Sequence, residues 1–211
     1  MEWIGLPAGA LQANAYVIYE KGRALLIDPG GDGNKIRRFI RQKKLQPEAI
    51  LLTHAHFDHI GAVEPLRKEY SIPVYLHHAE KKWLFNPALN GSAFFEGIEP
   101  IVVNPADQLF TREGRLSIGR FFFDVYETPG HSPGSVSFYF KEGGFVVAGD
   151  TLFEGSIGRT DLKGGEETQL LKSIRQKLLT LPDDTYVLPG HDSVTTIGRE
   201  KENNPFLKKH K

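Results

Sequence analysis

Thr53-His54-Ala55-His56-Phe57-Asp58-His59 places three imidazoles and a carboxylate within six residues, a donor set suited to metal ions. The apolar run before it, Ala49-Ile50-Leu51-Leu52, reads as a buried strand. After it, Ile60, Val63 and Leu66 have helical spacing, which predicts a helix over 60–70. The cluster therefore falls on a strand-to-helix turn. Side chains alternate along an extended segment, so His54 and His56 share a face, while Asp58 and His59 turn inward as the helix begins. Four donors can then converge on one pocket.

Three further stretches have a common form, a metal-type residue beside a glycine: Pro129-Gly130-His131, Ala148-Gly149-Asp150 and Pro189-Gly190-His191. Each follows a predicted strand, and glycine lets the backbone turn tightly enough for the next side chain to point into a crowded site. Together with the first cluster they supply five histidines and two aspartates, enough for two ions. His77, His78 and His210 have no such context. Asp28, in Asp28-Pro29-Gly30-Gly31, reads either as a turn residue or as a partner that orients a ligand histidine.

Composition narrows the chemistry. There is no cysteine, so disulfides, thiolate ligands and a cysteine nucleophile are excluded. Any metal must be held by nitrogen and oxygen, which suits zinc, iron or manganese. Lys plus Arg and Asp plus Glu balance at 26 each, so no global field favours nucleic acid or an anionic membrane as partner. No apolar run approaches the roughly 18 residues of a membrane span. Met1-Glu2-Trp3-Ile4 lacks the basic start and apolar core of a signal peptide. A cytoplasmic protein is expected.

Periodicity divides the chain into two similar halves. Strands over 15–19 and 24–27 flank a hairpin turn at 20–23, and a helix follows from Ile36 through Leu45. Next come the strand bearing the histidines, its helix, and a strand over 73–76. The segment 86–105, rich in Gly, Pro and Asn, reads as a long surface loop. Strands over 116–118, 121–126, 135–140 and 145–148 then precede a helix over 166–179 and a last strand over 186–188. The pattern suggests two packed sheets with helices outside and ligands gathered from strand ends.

In order and spacing, His54-x-His56-x-Asp58-His59 with Gly130-His131, Gly149-Asp150 and Gly190-His191 resembles the metallo-β-lactamase superfamily. The resemblance covers essentially the whole chain. It implies an α+β fold, the αββα sandwich of two mixed sheets flanked by helices, formed by residues 1–211 as one domain. It also implies a binuclear centre holding two divalent metal ions, with zinc first and iron or manganese as alternatives. By position, His54, His56 and His131 would bind one metal, Asp58, His59 and His191 the other, and Asp150 would bridge them. Within the superfamily, the run from Gly149 to Asp161 and the closing Glu202-Asn203-Asn204-Pro205-Phe206 resemble the glyoxalase II group, which hydrolyses the thioester S-D-lactoylglutathione. The longer glyoxalases continue into a helical domain that supplies much of the glutathione site, whereas here 20 residues follow His191. The chain resembles the short glyoxalase II-like hydrolases, without that domain.

The expected activity is therefore hydrolysis of a small-molecule thioester. Two ions about 3.5 to 4 Å apart can share a water and lower its pKa toward neutrality, so that hydroxide attacks, while one of them polarises the carbonyl. Asp58 is the expected catalytic residue, handling the proton of that water. A thiolate leaves readily, because free thiols have a pKa near about 8.5. Arg159 could recognise an anion, although pairing with Asp161 in support of the site is the favoured reading; Tyr139, Phe94 and Phe95 could line a cleft but are more simply packing residues. The strongest rival is a persulfide dioxygenase using one iron at the equivalents of His54, His56 and Asp150 or His131. A phosphodiesterase of the same fold would need basic recognition surfaces that this charge-balanced chain does not show. A metal-stabilised binding module would need a closed coordination shell.

Overall fold

The computed structural model describes residues 1–208. It opens with an antiparallel meander of β1 (Glu2–Ala8), β2 (Ala13–Glu20) and β3 (Arg23–Ile27). Lys21 and Gly22, at φ 46° and 78°, supply the two left-handed residues that a tight hairpin needs. From β3 the chain crosses through α1 (Gly33–Lys43) to β4 (Gln46–Leu51), parallel to β3. Two short helices, α2 (Phe57–Ile60) and α3 (Val63–Tyr70), lead to β5 (Val74–His77), parallel to β4. After α4 (Pro87–Asn90), β6 (Gln108–Phe110) closes the sheet parallel to β5. The order β1-β2-β3-β4-β5-β6 makes this a mixed sheet.

The period-2 alternation of its strands decides the packing. Ala15, Val17, Ala24, Leu26 and Ile50 meet Ile36 and Ile40 of α1 and Val63 and Leu66 of α3 in one core. Tyr16, Ile18, Leu25, Ile27 and Leu51, the intervening residues, are buried as well. Burial on both faces is why these strands read as near-continuous apolar runs.

The second half begins with the antiparallel run β7 (Gly114–Ile118), β8 (Phe121–Glu127), β9 (Val136–Phe140) and β10 (Phe145–Gly149). A small hairpin, β11 (Leu152–Phe153) and β12 (Ser156–Ile157), precedes α5 (Glu167–Gln176) and β13 (Tyr186–Pro189), which lies parallel to β10. The described chain finishes with β14 (Thr195–Thr196), α6 (Ile197–Asn203) and α7 (Pro205–Lys208). The second sheet, β14-β13-β10-β9-β8-β7, is also mixed. Val146, Ala148 and Val187 pack against Leu170, Leu171 and Ile174 of α5, each large aliphatic side chain contributing roughly 1.5–3 kcal/mol by burial. The chain separates into two compact units, Met1–Thr111 and a second beginning at Arg112. The fold class is as expected: α+β, two mixed sheets with flanking helices.

Several elements differ from expectation. The helix expected over 60–70 is broken, because the Ala62 amide donates to the carbonyl of Pro29 at 2.8 Å instead of to its own helix. The 86–105 loop contains α4, with Asn86 as N-cap accepting from the Ala88 amide and Pro87 in the first turn, a legible start signal. The helix expected over 166–179 ends at Gln176 and passes into a 3-10 turn over Leu178–Thr180. Strands β1, β6, β11, β12 and β14 and helices α6 and α7 were not expected. Among the described residues, no helix is long and apolar enough to cross a membrane.

Candidate metal centre

In the first unit, β4 ends at Leu51 and the histidine cluster occupies the turn into α2. Asp28, just past β3, organises that turn. Its Oδ1 accepts the Thr53 amide at 2.8 Å and its Oδ2 accepts the Thr53 hydroxyl at 2.6 Å. The same Oδ2 lies 3.2 Å from His59 Nδ1. Asp28 holds this position at φ 47°, a left-handed backbone that Asp and Asn tolerate better than other side chains.

These bonds fix tautomers. A carboxylate only accepts, so His59 Nδ1 carries the proton and Nε2 carries the lone pair. The Thr53 hydroxyl uses its one hydrogen on Asp28, so toward His54 Nδ1, 3.1 Å away, it can only accept. His54 Nε2 is then also a lone-pair donor. His54 and His59 are fully buried, and one ligand atom each from Asp28, His54 and His59 lies within 4.8 Å of the others. His56 sits between neighbours, its ring edge-on to His54 at 4.8 Å and tilted against Trp83 at 5.5 Å. The amide of Ala55, between these two histidines, donates to Glu80 Oε2, a carboxylate with no solvent exposure.

The second unit repeats the logic. His131 Nδ1 is 2.7 Å from the carbonyl of Arg159, which again puts the ring proton on Nδ1 and the lone pair on Nε2. His131 Nε2 and His191 Nε2 lie 3.5 and 3.6 Å from the same oxygen, Asp150 Oδ2. In the first unit, His59 Nε2 is 3.6 Å from Asp58 Oδ2. Such separations are too long for hydrogen bonds. Two donors about 2.0–2.2 Å from one tetrahedral ion stand roughly 3.3–3.6 Å apart, so the distances fit shared coordination. The donor set, imidazole nitrogens and carboxylates with no sulfur, fits zinc, iron or manganese.

Each unit also backs a candidate aspartate with a glycine. A Cβ on Gly30 would lie 1.5 Å from the Asp58 carbonyl oxygen, and one on Gly158 would lie 1.9 Å from that of Asp150. Only glycine permits so close an approach. Gly130, at φ 134°, similarly leaves room for the backbone of Leu170, 2.2 Å from where its Cβ would stand.

The other residues singled out in the sequence sort clearly. Arg159 Nε and Nη2 donate to the two carboxylate oxygens of Asp161, both at 2.7 Å. The exposed pair braces the loop whose carbonyl orients His131. Hydrogen bonding to Arg159 is the main reason the Asp161 carboxyl falls to about 2. Tyr139 packs in the core beside Tyr126. Phe95 contacts Phe57, whereas Phe94 is 76% exposed. His77 caps the following 3-10 turn, and His78 Nδ1 approaches the Phe110 carbonyl at 3.2 Å. His210 lies outside the described residues. Sequence reasoning missed Thr53 as a tautomer-setting residue and Glu80 altogether. An isolated glutamate in a polar stretch carries no signal that it will be buried.

Comparison with known proteins agrees with this geometry. The pattern of the Metallo-beta-lactamase superfamily matches residues 8–191. The "Probable metallo-hydrolase YqgX" of Bacillus subtilis is 53% identical over 98% of both chains. The "Hydroxyacylglutathione hydrolase GloC" of Haemophilus influenzae is 38% identical over 96% of both. Among solved structures, BLEG-1 B3 metallo-beta-lactamase superposes with a TM-score of 0.96 at 52% identity, covering 98% of this chain and 100% of that one. TTHA1623, in a di-iron-bound form, gives 0.87 at 41%, covering 97% and 100%. With its fold, its clustered His and Asp donors and these relatives in agreement, the chain belongs to the metallo-β-lactamase superfamily and is a metallo-hydrolase of that group.

Proposed function

We propose that the protein is a binuclear metal-dependent hydrolase of small thioesters, of the glyoxalase II type. The observation that carries the binuclear part is the repeated arrangement of Nε2 atoms 3.5–3.6 Å from the carboxylates of Asp58 and Asp150. The thioester part draws its support from the likeness to hydroxyacylglutathione hydrolase GloC along nearly the whole chain. His54, His56 and His131 would hold one ion and Asp58, His59 and His191 the other, with Asp150 completing the set. Zinc is the first candidate. When bound, such ions polarise the thioester carbonyl and bring the pKa of water toward neutrality.

The chain's own groups do the rest. Asp28 and Thr53 keep His59 and His54 in the tautomer that offers Nε2, and the Arg159 carbonyl does so for His131. Asp58 keeps one carboxylate oxygen toward His59 and with the other accepts the proton of the attacking water. No strong general acid is required, since a thiolate leaves at neutral pH. The substrate is a small thioester, with neither nucleic acid nor membrane as partner, and the site of action is the cytoplasm.

A single-iron persulfide dioxygenase is the second reading, supported by a likeness to ETHE1 from Myxococcus xanthus at 30% identity and a TM-score of 0.76, covering 97% of this chain and 84% of that one. The di-iron form of TTHA1623 supports iron as a candidate metal, not a single ion. One panel separates the alternatives: S-D-lactoylglutathione and other acyl thioesters, a glutathione persulfide with oxygen uptake recorded, and a chromogenic cephalosporin because of the likeness to BLEG-1. Thioester turnover that Asp58→Ala abolishes without unfolding the protein is expected. Oxygen uptake with the persulfide and no thioester turnover would reverse the assignment.

A further inference from the structure

The closing stretch Glu202-Asn203-Asn204-Pro205-Phe206 has no part in the ligand set, yet it adjoins a buried carboxylate of the second unit that accepts three hydrogen bonds. Glu200, on α6, is 1% exposed. Its Oε1 accepts the Thr195 hydroxyl at 2.6 Å, and its Oε2 accepts the Gly155 amide at 2.9 Å and the Asn204 side-chain amide at 2.8 Å. Asn204 in turn donates to the Ser156 carbonyl at 3.0 Å. Arg199 pairs with Glu154 at 2.7 Å. Three consecutive residues at the tip of the β11–β12 hairpin, Glu154, Gly155 and Ser156, are thus pinned by side chains from α6 and the residue that ends it.

That hairpin connects the candidate ligands of this unit. It begins two residues after Asp150, and beyond its second strand lies Arg159, whose carbonyl orients His131. Gly158 backs the Asp150 carbonyl from the same stretch. On its first strand, Phe153 meets the His191 ring edge-on at 6.2 Å. Thr195, which Glu200 also holds, is four residues beyond His191 on β14. One buried carboxylate therefore ties down the hairpin that leads from Asp150 to the Arg159 carbonyl bonded to His131, and the strand β14 that follows His191.

We infer that Glu200, with Asn204, is a positioning residue that sets the relative placement of Asp150, His131 and His191 and so tunes metal affinity. The inference rests on the proposed ligand set. Both carboxylate oxygens of Glu200 accept: Gln at this position removes the charge and keeps one acceptor oxygen, so either the Thr195 bond must reverse, with the new amide donating to the hydroxyl, or the Gly155 and Asn204 donors face an NH2 group and are lost. Partners that orient metal ligands typically alter affinity by about 10–100-fold when removed.

The test is zinc affinity of the purified full-length protein, measured by competition with a chromophoric chelator. The proteins compared are wild type, Glu200→Gln, Asn204→Ala and, as control, Ile174→Val, which trims the core of the same unit without touching the network. Melting temperatures of the metal-free proteins report general destabilisation. Zinc binding weakened about 10-fold or more by Glu200→Gln, while Ile174→Val stays within about 2-fold of wild type, is the expected result. Amide exchange at Gly155 should accelerate in parallel. Because Gln can disturb folding, Asn204→Ala provides the second arm: it removes the Ser156 bond while leaving the carboxylate, and should weaken zinc in the same direction. Zinc affinity unchanged in both variants, or lowered no more than in the control at equal loss of melting temperature, would overturn the inference alone. A wild type that takes up no zinc, iron or manganese would overturn the ligand set and the inference with it.

Discussion

Asp28 Oδ2 lies 3.2 Å from His59 Nδ1 while accepting the Thr53 hydroxyl at 2.6 Å. One buried oxygen thereby sets the proton position on His59 directly and on His54 through Thr53. Asp28→Asn keeps a side chain that tolerates the left-handed backbone but removes the charge that holds His59 Nδ1–H. The variant should fold and lose about 10–100-fold in metal affinity, measured by chelator competition. Asp28→Ala should in addition lose roughly 1–3 kcal/mol of stability, because the Thr53 amide and hydroxyl are left buried without this acceptor. Denaturant midpoints of the metal-free variants check the second figure, and wild-type affinity in Asp28→Asn would refute the first.

Gly30 and Gly158 are expected to be as sensitive as the ligands they back. A methyl group at either position must displace the carbonyl of Asp58 or Asp150. A small-to-large change with so little room costs typically about 1–3 kcal/mol. Gly22 offers the comparison, since a Cβ there meets nothing within 4 Å, although its φ of 78° still imposes strain. Gly30→Ala and Gly158→Ala should reduce both unfolding midpoint and turnover, and Gly22→Ala only the midpoint. Full turnover in either of the first two would contradict the close approach.

The Arg159–Asp161 pair makes a prediction in pH. Bonding to Arg159 lowers the Asp161 carboxyl to about 2, below the ordinary carboxylate value of about 3.9. A carboxylate whose folded pKa is depressed contributes stability above its unfolded pKa and loses it as pH falls through the folded one. The pair should therefore persist at neutral pH and release between about pH 4 and pH 2. A carbon-13 titration of the Asp161 carboxyl should show its midpoint near 2, moving up into the ordinary range in Arg159→Ala. An unchanged midpoint in that variant would show that the bidentate contact does not govern Asp161.

Much of the candidate site was legible because metal chemistry leaves a dense signature. His54, His56, Asp58 and His59 fall together in one turn, and Gly before His131 and His191 marks sharp strand exits. The core helices were legible too, since Ile36 and Ile40 recur at the spacing of a buried face. What escaped depends on tertiary contact. The helix break at Gly61-Ala62 is set by the carbonyl of Pro29, distant in sequence. Strand β1 hides its pairing because it carries Gly5 and Pro7 and is mostly half-exposed, which blurs the alternation. Glu80 and Glu200 are buried by what surrounds them, and a glutamate's own neighbours in sequence give no hint of that.

The most direct measurement is metal content per chain of protein purified without added metal, for wild type and Asp150→Ala. Two divalent ions per wild-type chain, falling in Asp150→Ala together with thioester turnover, is the predicted result. One iron per chain, or thioester turnover that persists after the ions are removed, would contradict the binuclear hydrolase.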